Sequence, residues 1–290
     1  MVKNAPPLLQ LEQLKGFIYA DEKLTTGQAG TCALYVHLTS GATTFAVREK
    51  TSGKFLGAEC ILSQETSITT QLRNSLSESQ LLSITKFNSC ETAVANAFHT
   101  MLPTGLFHQG DESDLLRFSI SRTDLEPAVD EVTGLGIKVI YGIQPELKAL
   151  LHQSFTDLKL KSAVGCQLEY QLLNAARTKA PVMQLVCHPE LLTIIVSEGK
   201  KLLFVNSFNI RDMGEAAYYT LMAGEQLDLE ISTLDIELNG TMHCCEILKT
   251  RLEAYCGEIT YSEGFFKDEL SYKLQSAQTS GLMPVLTLGL

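Results

Sequence analysis

Positive charge is scarce in this chain. Lysine and arginine number 23 against 33 aspartates and glutamates, giving a formal net charge of −10, and no Lys/Arg cluster interrupts that balance. Phosphate backbones and anionic bilayers are held by basic surfaces, so neither nucleic acid nor a membrane surface is an expected partner. No run of about 18 uninterrupted apolar residues exists, and the first 24 residues, MVKNAPPLLQLEQLKGFIYADEKL, contain no signal-type apolar core. The eight cysteines are scattered, with no CxxC among them. They read as small buried hydrophobes in a reducing cytoplasm. GxSxG is missing too, and the glycines of GLGIKV (Gly134–Val139) precede a strand-like run, whereas a dinucleotide loop follows one.

The chain does have hairpins. TCALYVHL (Thr31–Leu38), ATTFAVR (Ala42–Arg48) and KFLGAECIL (Lys54–Leu62) are β-rich runs separated by turns ending at Gly41 and Gly53. VMQLVC (Val182–Cys187), LLTIIVS (Leu191–Ser197) and KLLFVNSF (Lys201–Phe208) repeat the arrangement, with turns at Pro189 and Gly199. Pro189 lies 148 residues after Gly41, and Gly199 lies 146 after Gly53, close to half of the 290-residue chain. The repetition is of pattern alone; residue identity between the halves is negligible.

Helices and strands alternate after each trio. In the first half, QETSITTQLRNSLSESQLL predicts a helix weakened by serines and β-branched residues. Next come a strand over Ile137–Ile143, a helix opening on Pro145, a strand over Leu160–Cys166 and a helix over 167–177. In the second, Asp212 and Glu215 have capping-box spacing, and Ala216, Tyr219, Ala223 and Leu227 share one helical face. TLDIEL then alternates as a half-buried strand, and a helix over Thr241–Tyr255 carries Leu248, Leu252 and Tyr255 as its stripe. The expected fold class is α/β, with two ribonuclease-H-like, actin-type ATPase subdomains over 1–180 and 181–290. PVLTLGL at the end is read as a further strand, and GDESDLLRF (Gly110–Phe118) as a solvated helix start.

The stretch from Leu202 to Leu227, followed by IELNG, resembles the C-terminal signature of domain-of-unknown-function family 3822, an uncharacterised family found mainly in Bacteroidetes. Asn206, Ser207, Phe208, Tyr218, Tyr219, Glu225, Gln226, Leu227 and Gly240 carry the resemblance, and MLPTGLF adds to it. Gly214 and Glu215 stand where that family tends to have Glu-Asp. The resemblance implies an actin-like ATPase fold of two subdomains around a cleft, and no assigned activity.

An actin-type ATPase grips phosphate with two hairpin loops resembling Asp-x-Gly and small hydroxyl residues, plus an adenosine loop. Here the first loop is His37-Leu38-Thr39-Ser40-Gly41, with histidine in the aspartate's place; the second is Cys187-His188-Pro189-Glu190, where proline removes a donor. Only Asn239-Gly240 keeps part of the adenosine loop. Hydrolysis of ATP is therefore not expected. The first reading is a non-catalytic cytoplasmic binding or scaffold protein with no cofactor, whose protein partner or small ligand and oligomeric state are unspecified. The alternative is a nucleotide-binding protein or atypical ATPase that takes Mg-ATP in the cleft. Candidate cleft contacts are His37, Thr39, Ser40, Gly41, His188, Asn206, Asn239, Gly240 and His243. Histidines 37, 188 and 243 with Cys187, Cys244 and Cys245 could also ligate a metal, but without metal-motif spacing they read as loop histidines and packed thiols. Asn206-Ser207 suits either a ligand contact or local backbone capping. Of the adjacent Tyr218 and Tyr219, helical geometry buries one and exposes the other.

Overall fold

The computed structural model describes residues 16–290 apart from 29, 85, 86, 88, 121, 176–179, 263, 264 and 276–280. The expectations for residues 1–15 and for the end of the helix at 176–177 lie outside the described residues.

Each expected hairpin trio forms the antiparallel part of a mixed sheet. After β1 (Phe17–Ala20), the first trio is β2 (Cys32–Thr39), β3 (Ala42–Glu49) and β4 (Phe55–Leu62). Helices α1 (Ile68–Glu78) and α2 (Gln80–Ile84) lead into β5 (Cys90–Val94). A separate antiparallel sheet follows, in the order β6-β8-β7, made of β6 (His99–Pro103), β7 (Glu126–Val132) and β8 (Ile137–Ile143), with α3 (Glu112–Ser119) between β6 and β7. Helix α4 (Pro145–Ser154), β9 (Leu158–Ser162) and α5 (Ala163–Ala175) complete the first half. The first sheet runs β1-β4-β3-β2-β5-β9, with β2, β5 and β9 mutually parallel.

The second trio is β10 (Pro181–His188), β11 (Leu191–Glu198) and β12 (Lys201–Asn209). Helix α6 (Met213–Gln226), β13 (Asp235–Gly240), α7 (Met242–Leu252) and β14 (Ile259–Tyr261) follow, giving the order β12-β11-β10-β13-β14. Hairpin partners lie on one side of the central strand and parallel strands on the other, as in the first sheet without β1. The α/β, actin-type arrangement expected from the turns is what forms. Gly41, Gly53 and Gly199 all take positive φ at those turns.

Several expectations need correction. Ile137–Ile143 is a strand, but it joins the three-stranded sheet, because its partners β6 and β7 flank it antiparallel. The strand expected at Leu160–Cys166 ends at Ser162, whose hydroxyl receives the Gly165 N–H at 3.1 Å as α5 begins. The single weak helix after β4 is two. Ser79 interrupts it, donating to the buried Glu59 carboxylate at 2.6 Å, and Glu59 also accepts the Gln80 and Leu81 N–H groups. Tyr255 lies beyond the end of α7 and is exposed, whereas Leu248 and Leu252 are buried. Asp212 does cap α6, accepting from Gly214 and Glu215, but Glu215 reaches back to the Arg211 N–H rather than to that of Asp212.

The C-terminal run adds no strand. It forms a short 3-10 segment (Phe265–Glu269), α8 (Tyr272–Gln275), α9 (Met283–Leu286) and a final turn. Phe266, Leu270, Leu282, Met283, Val285, Leu286 and Leu288 are buried against Ala33, Tyr35, Ala46, Ala58 and Ala93. The alanines leave that face of the first sheet shallow, and helical turns fill it where another strand would need a free edge. The edge beside β4 is taken by β1. These buried C-terminal residues, which the expected unit 181–290 includes, thus pack on the first sheet. The opposite face is covered by Leu72 of α1 and by Leu147 and Leu151 of α4. No helix among the described residues is long and apolar enough to cross a membrane.

Gly240 closes β13 against the central strand. Its φ is 115°, and a Cβ there would lie 2.3 Å from the Cys187 carbonyl oxygen. Gly110 has a similar φ of 105° with nothing within 4 Å. Gly110→Ala should therefore cost only the backbone strain, about 1–3 kcal/mol, and Gly240→Ala clearly more, as a larger drop in urea midpoint. Equal losses for the two variants would show that the close approach to Cys187 is not what requires glycine.

Candidate functional site

The two hairpin turns meet. Ser40-Gly41 connects β2 to β3, Pro189-Glu190 connects β10 to β11, and the Ser40 hydroxyl donates to Glu190 Oε2 at 2.5 Å. Just inside, the rings of His37 and His188 lie 5.5 Å apart at 35°. The two expected cleft loops are thus brought together, and side chains of the protein fill the space between them.

Gln71, buried on α1, fixes the first turn from behind. Its Oε1 accepts the Gly41 N–H at 3.1 Å, and its Nε2 donates to the Thr39 carbonyl and Thr43 Oγ1. The donor a phosphate oxygen would need at Gly41 is thereby already used. Thr39 turns its own hydroxyl onto the Ser40 carbonyl. On the other side, Thr241 N–H donates to the Cys187 carbonyl at 2.8 Å, and Gly240 lies against the Cys187 backbone. Asn239-Gly240, expected to keep part of an adenosine loop, is thus closed on its neighbouring strand.

His37 and His188 are 3% and 4% exposed, too little for a charged imidazole to be hydrated. Burial holds His37 well below its ordinary value, with His188 adding to the effect, and burial pushes His188 down to about 4. His188 Nδ1 pairs with Thr241 Oγ1 at 3.2 Å; Nε2 has no hydrogen bond among the described residues. Sequence reasoning missed a third histidine. His99, at the start of β6, reaches Ser207 Oγ at 2.9 Å, and Ser207 meets Thr193 Oγ1 at 2.7 Å. Burial lowers His99 to about 4 as well. Its place 62 residues from His37 and in another sheet leaves no spacing signal to find it by. The three histidines line a seam cavity of about 20 Å³, enough for one water molecule.

The other candidates divide. Asn239 is fully buried on β13, and neither end of its amide has a partner among the described residues. Asn206 is exposed in the interior of β12, an edge strand, and its Oδ1 takes the adjacent Ser207 N–H, so it caps backbone locally and stays outside the seam. His243 sits half-buried in the first turn of α7 and lines neither the seam cavity nor the larger one described below. Cys187, Cys244 and Cys245 are packed in the second core. Cys187 donates to Met213 Sδ at 3.4 Å and Cys245 to the Asn239 carbonyl at 3.3 Å. The Cys187 thiol is held well above its ordinary value by its bond with Cys244 and by burial, and burial raises Cys245 likewise. Among the described residues no group of three or more His, Cys, Asp or Glu side chains is placed to hold a metal ion. Tyr219 stacks on Phe208 at 4.4 Å, and Tyr218 is exposed, as helical geometry required.

A larger cavity of about 280 Å³ opens beside the joined turns. Its walls come from the first turn and α1, from residues flanking the three-stranded sheet, and from Glu190, Leu191 and Asn209 of the second half.

The profile of the family described as "Protein of unknown function (DUF3822)" matches residues 21–259. The chain belongs to this family. Among solved structures, it is similar to a Bacteroides thetaiotaomicron protein described as having an actin-like ATPase fold and unknown function. Identity is 19% and the TM-score 0.73, over 89% of this chain and 97% of that one. It is also similar to a chain of a structure described as a PilM–PilN type IV pilus biogenesis complex, with 11% identity, TM-score 0.66 and the same coverage. No curated protein matches. At these identities the likeness establishes the actin-like fold.

The buried histidines give the seam a pH dependence. Neutral in the folded state and titrating near 6.5 when unfolded, they contribute stability that is complete above that value and is lost as the pH falls from there toward 4. Each can cost up to about 1.4 kcal/mol per pH unit in that window. The urea midpoint should fall between about pH 7.5 and 5.0, and less so in His188→Gln. A midpoint that stays constant over that range would contradict burial of neutral rings.

Proposed function

We propose that this protein is a non-catalytic cytoplasmic binding or scaffold protein built on an actin-type ATPase frame, with a protein partner or small ligand taken at or near the cleft. The observation that carries this reading is the self-made closure of the phosphate position. Gln71 occupies the Gly41 donor, Ser40 occupies Glu190, and His37 and His188 fill the space between. Mg-ATP asks for the reverse: open backbone N–H groups, a carboxylate directed at the metal, and positive charge near the phosphates. Pro189 has no N–H to offer, and burial holds His37 and His188 neutral. These residues do not fit a magnesium nucleotide.

The cytoplasmic part of the reading is supported by the thiols, of which all eight are free and six are buried. That one relative of the same fold occurs in a PilM–PilN complex supports the idea that such a frame can serve assembly. The two five-strand patterns support a division into units near residue 180, with Phe266, Leu270, Leu274 and Leu282–Leu288 returning to the first.

Isothermal titration with Mg-ATP, paired with a phosphate-release assay, decides between this and a nucleotide-using protein. No saturable heat is expected up to about millimolar nucleotide. Micromolar binding accompanied by phosphate release would overturn the reading.

A further inference from the structure

The two halves are joined more weakly than either is built. The second half has a core of its own, formed within residues 183–261, and the first is packed on both faces of its sheet. Between them, among the described residues, the buried apolar contact is one small cluster: Val132, Val139, Val164 and Leu168 from the first half and Ile195 from the second. The rest of the joint is polar. Gln171 of α5 donates to Ser197 at 2.8 Å and Asn174 to Glu237 at 3.0 Å, which lays α5 against the face of the second sheet that carries Gln184, His188, Glu237 and Asn239. Among the described residues, Gln167 Oε1, Gln171 Oε1, His188 Nε2 and both amide ends of Gln184 and Asn239 have no hydrogen bond. Buried polar atoms left so cost stability while the joint is closed and gain water when it opens. A small, polar contact between separate cores permits the halves to move.

The same joint holds the three histidines, one from each sheet: His37 on β2, His99 on β6 and His188 on β10. His37 and His188 face each other across it at 5.5 Å, and His99 reaches over to Ser207 of β12. Tyr141 is the other titratable group lining their cavity, and burial keeps its phenol protonated. No carboxylate, lysine or arginine lines it among the described residues. The acids of adjoining elements are engaged: Glu190 by Ser40, Glu237 by Asn174, and Asp130 of β7 by the Ser162 N–H at 2.9 Å. A proton on any of the three rings therefore meets no counter-ion in the cavity, and protons on both His37 and His188 repel each other.

We propose that the joint opens on acidification: protonation of His37, His99 and His188 parts the second sheet from α5 and from the first hairpin turn, while each half keeps its own core. Protons favour the open form because it hydrates the rings, which then titrate near their ordinary 6.5. In the closed form His99 and His188 titrate at about 4, and His37 well below its ordinary value. Closure is therefore complete above about pH 6.5 and is lost as the pH falls from there toward 4. From about pH 7.5 to 5.0 the opening equilibrium rises about thirtyfold for each ring that gains water. Opening of this kind is independent of what the cleft binds.

Hydroxyl-radical footprinting of the full chain in dilute solution, read by mass spectrometry from about pH 7.5 to 5.0, separates this opening from unfolding. Leu168 and Ile195 of the joint are 1% and 0% exposed. They should gain label by about tenfold or more, and lose that gain when the pH is restored. Leu72 and Leu147 of the first core and Leu248 and Leu252 of the second should stay protected. The pH at which the joint takes label should fall by about half a unit in His188→Gln, and the double variant His37→Gln/His188→Gln should cut the gain by about tenfold or more. The pH series on the unaltered protein needs no variant, and melting curves at about pH 7.5 establish that each variant folds. Equal gains in the joint and in both cores would mean global unfolding and would overturn the joint as a device. Protection of Leu168 and Ile195 over the whole range would do the same, as would a gain in the double variant equal to that of the unaltered protein.

Discussion

The contact between the two hairpin turns is the constraint on which the rest of the cleft depends. Two sheets of the same strand order place their central hairpins tip to tip, and whatever stands at the tips decides whether the gap between them can hold a polyanion. In this chain the tips carry imidazoles, a hydroxyl and a carboxylate that satisfy one another. Imidazoles buried here are stable only when neutral, so the seam carries no positive charge to offer a phosphate. The same uncharged state lets the rings lie close without repulsion.

Support for this contact comes from regions with no chemistry of their own. Gln71 belongs to a helix interrupted at Ser79, where Glu59 of β4 satisfies the open N–H groups of the following turn. That capping keeps α1 and α2 on the first sheet despite a sequence poor in strong helix formers. On the sheet's other face, four alanines make room for Phe266, Leu270 and Leu274 and for Leu282, Met283, Val285, Leu286 and Leu288. The chain's end and its first sheet therefore form one core, although nearly the whole sequence separates them.

A fold of this kind is a frame on which loops are exchanged. The similarity to proteins of 19% and 11% identity survives because strand order and sheet packing depend on apolar pattern, which many sequences satisfy. Phosphate chemistry depends on a few donors and charges at the turns, and in this chain the turns carry groups that bond across the gap.

The sequence by itself settled the periodic features. Strand trios, turn glycines at positive φ and the Asp212 cap were all legible, because each depends on neighbours within a few residues. Family membership was legible too, from the stretch around Asn206–Leu227 and Gly240. The assignment of Ile137–Ile143 to a third sheet, the return of the C-terminal run as helix, and the exposure of Asn206 were decided only by tertiary structure. So were the partners of the site: Gln71 on Gly41, Glu190 on Ser40, His99 on Ser207. These pairs are separated by 30, 150 and 108 positions. A hydrogen bond between residues so far apart leaves no local pattern, since it arises only once independent elements pack and their buried polar atoms must find whichever partner that packing brings within reach.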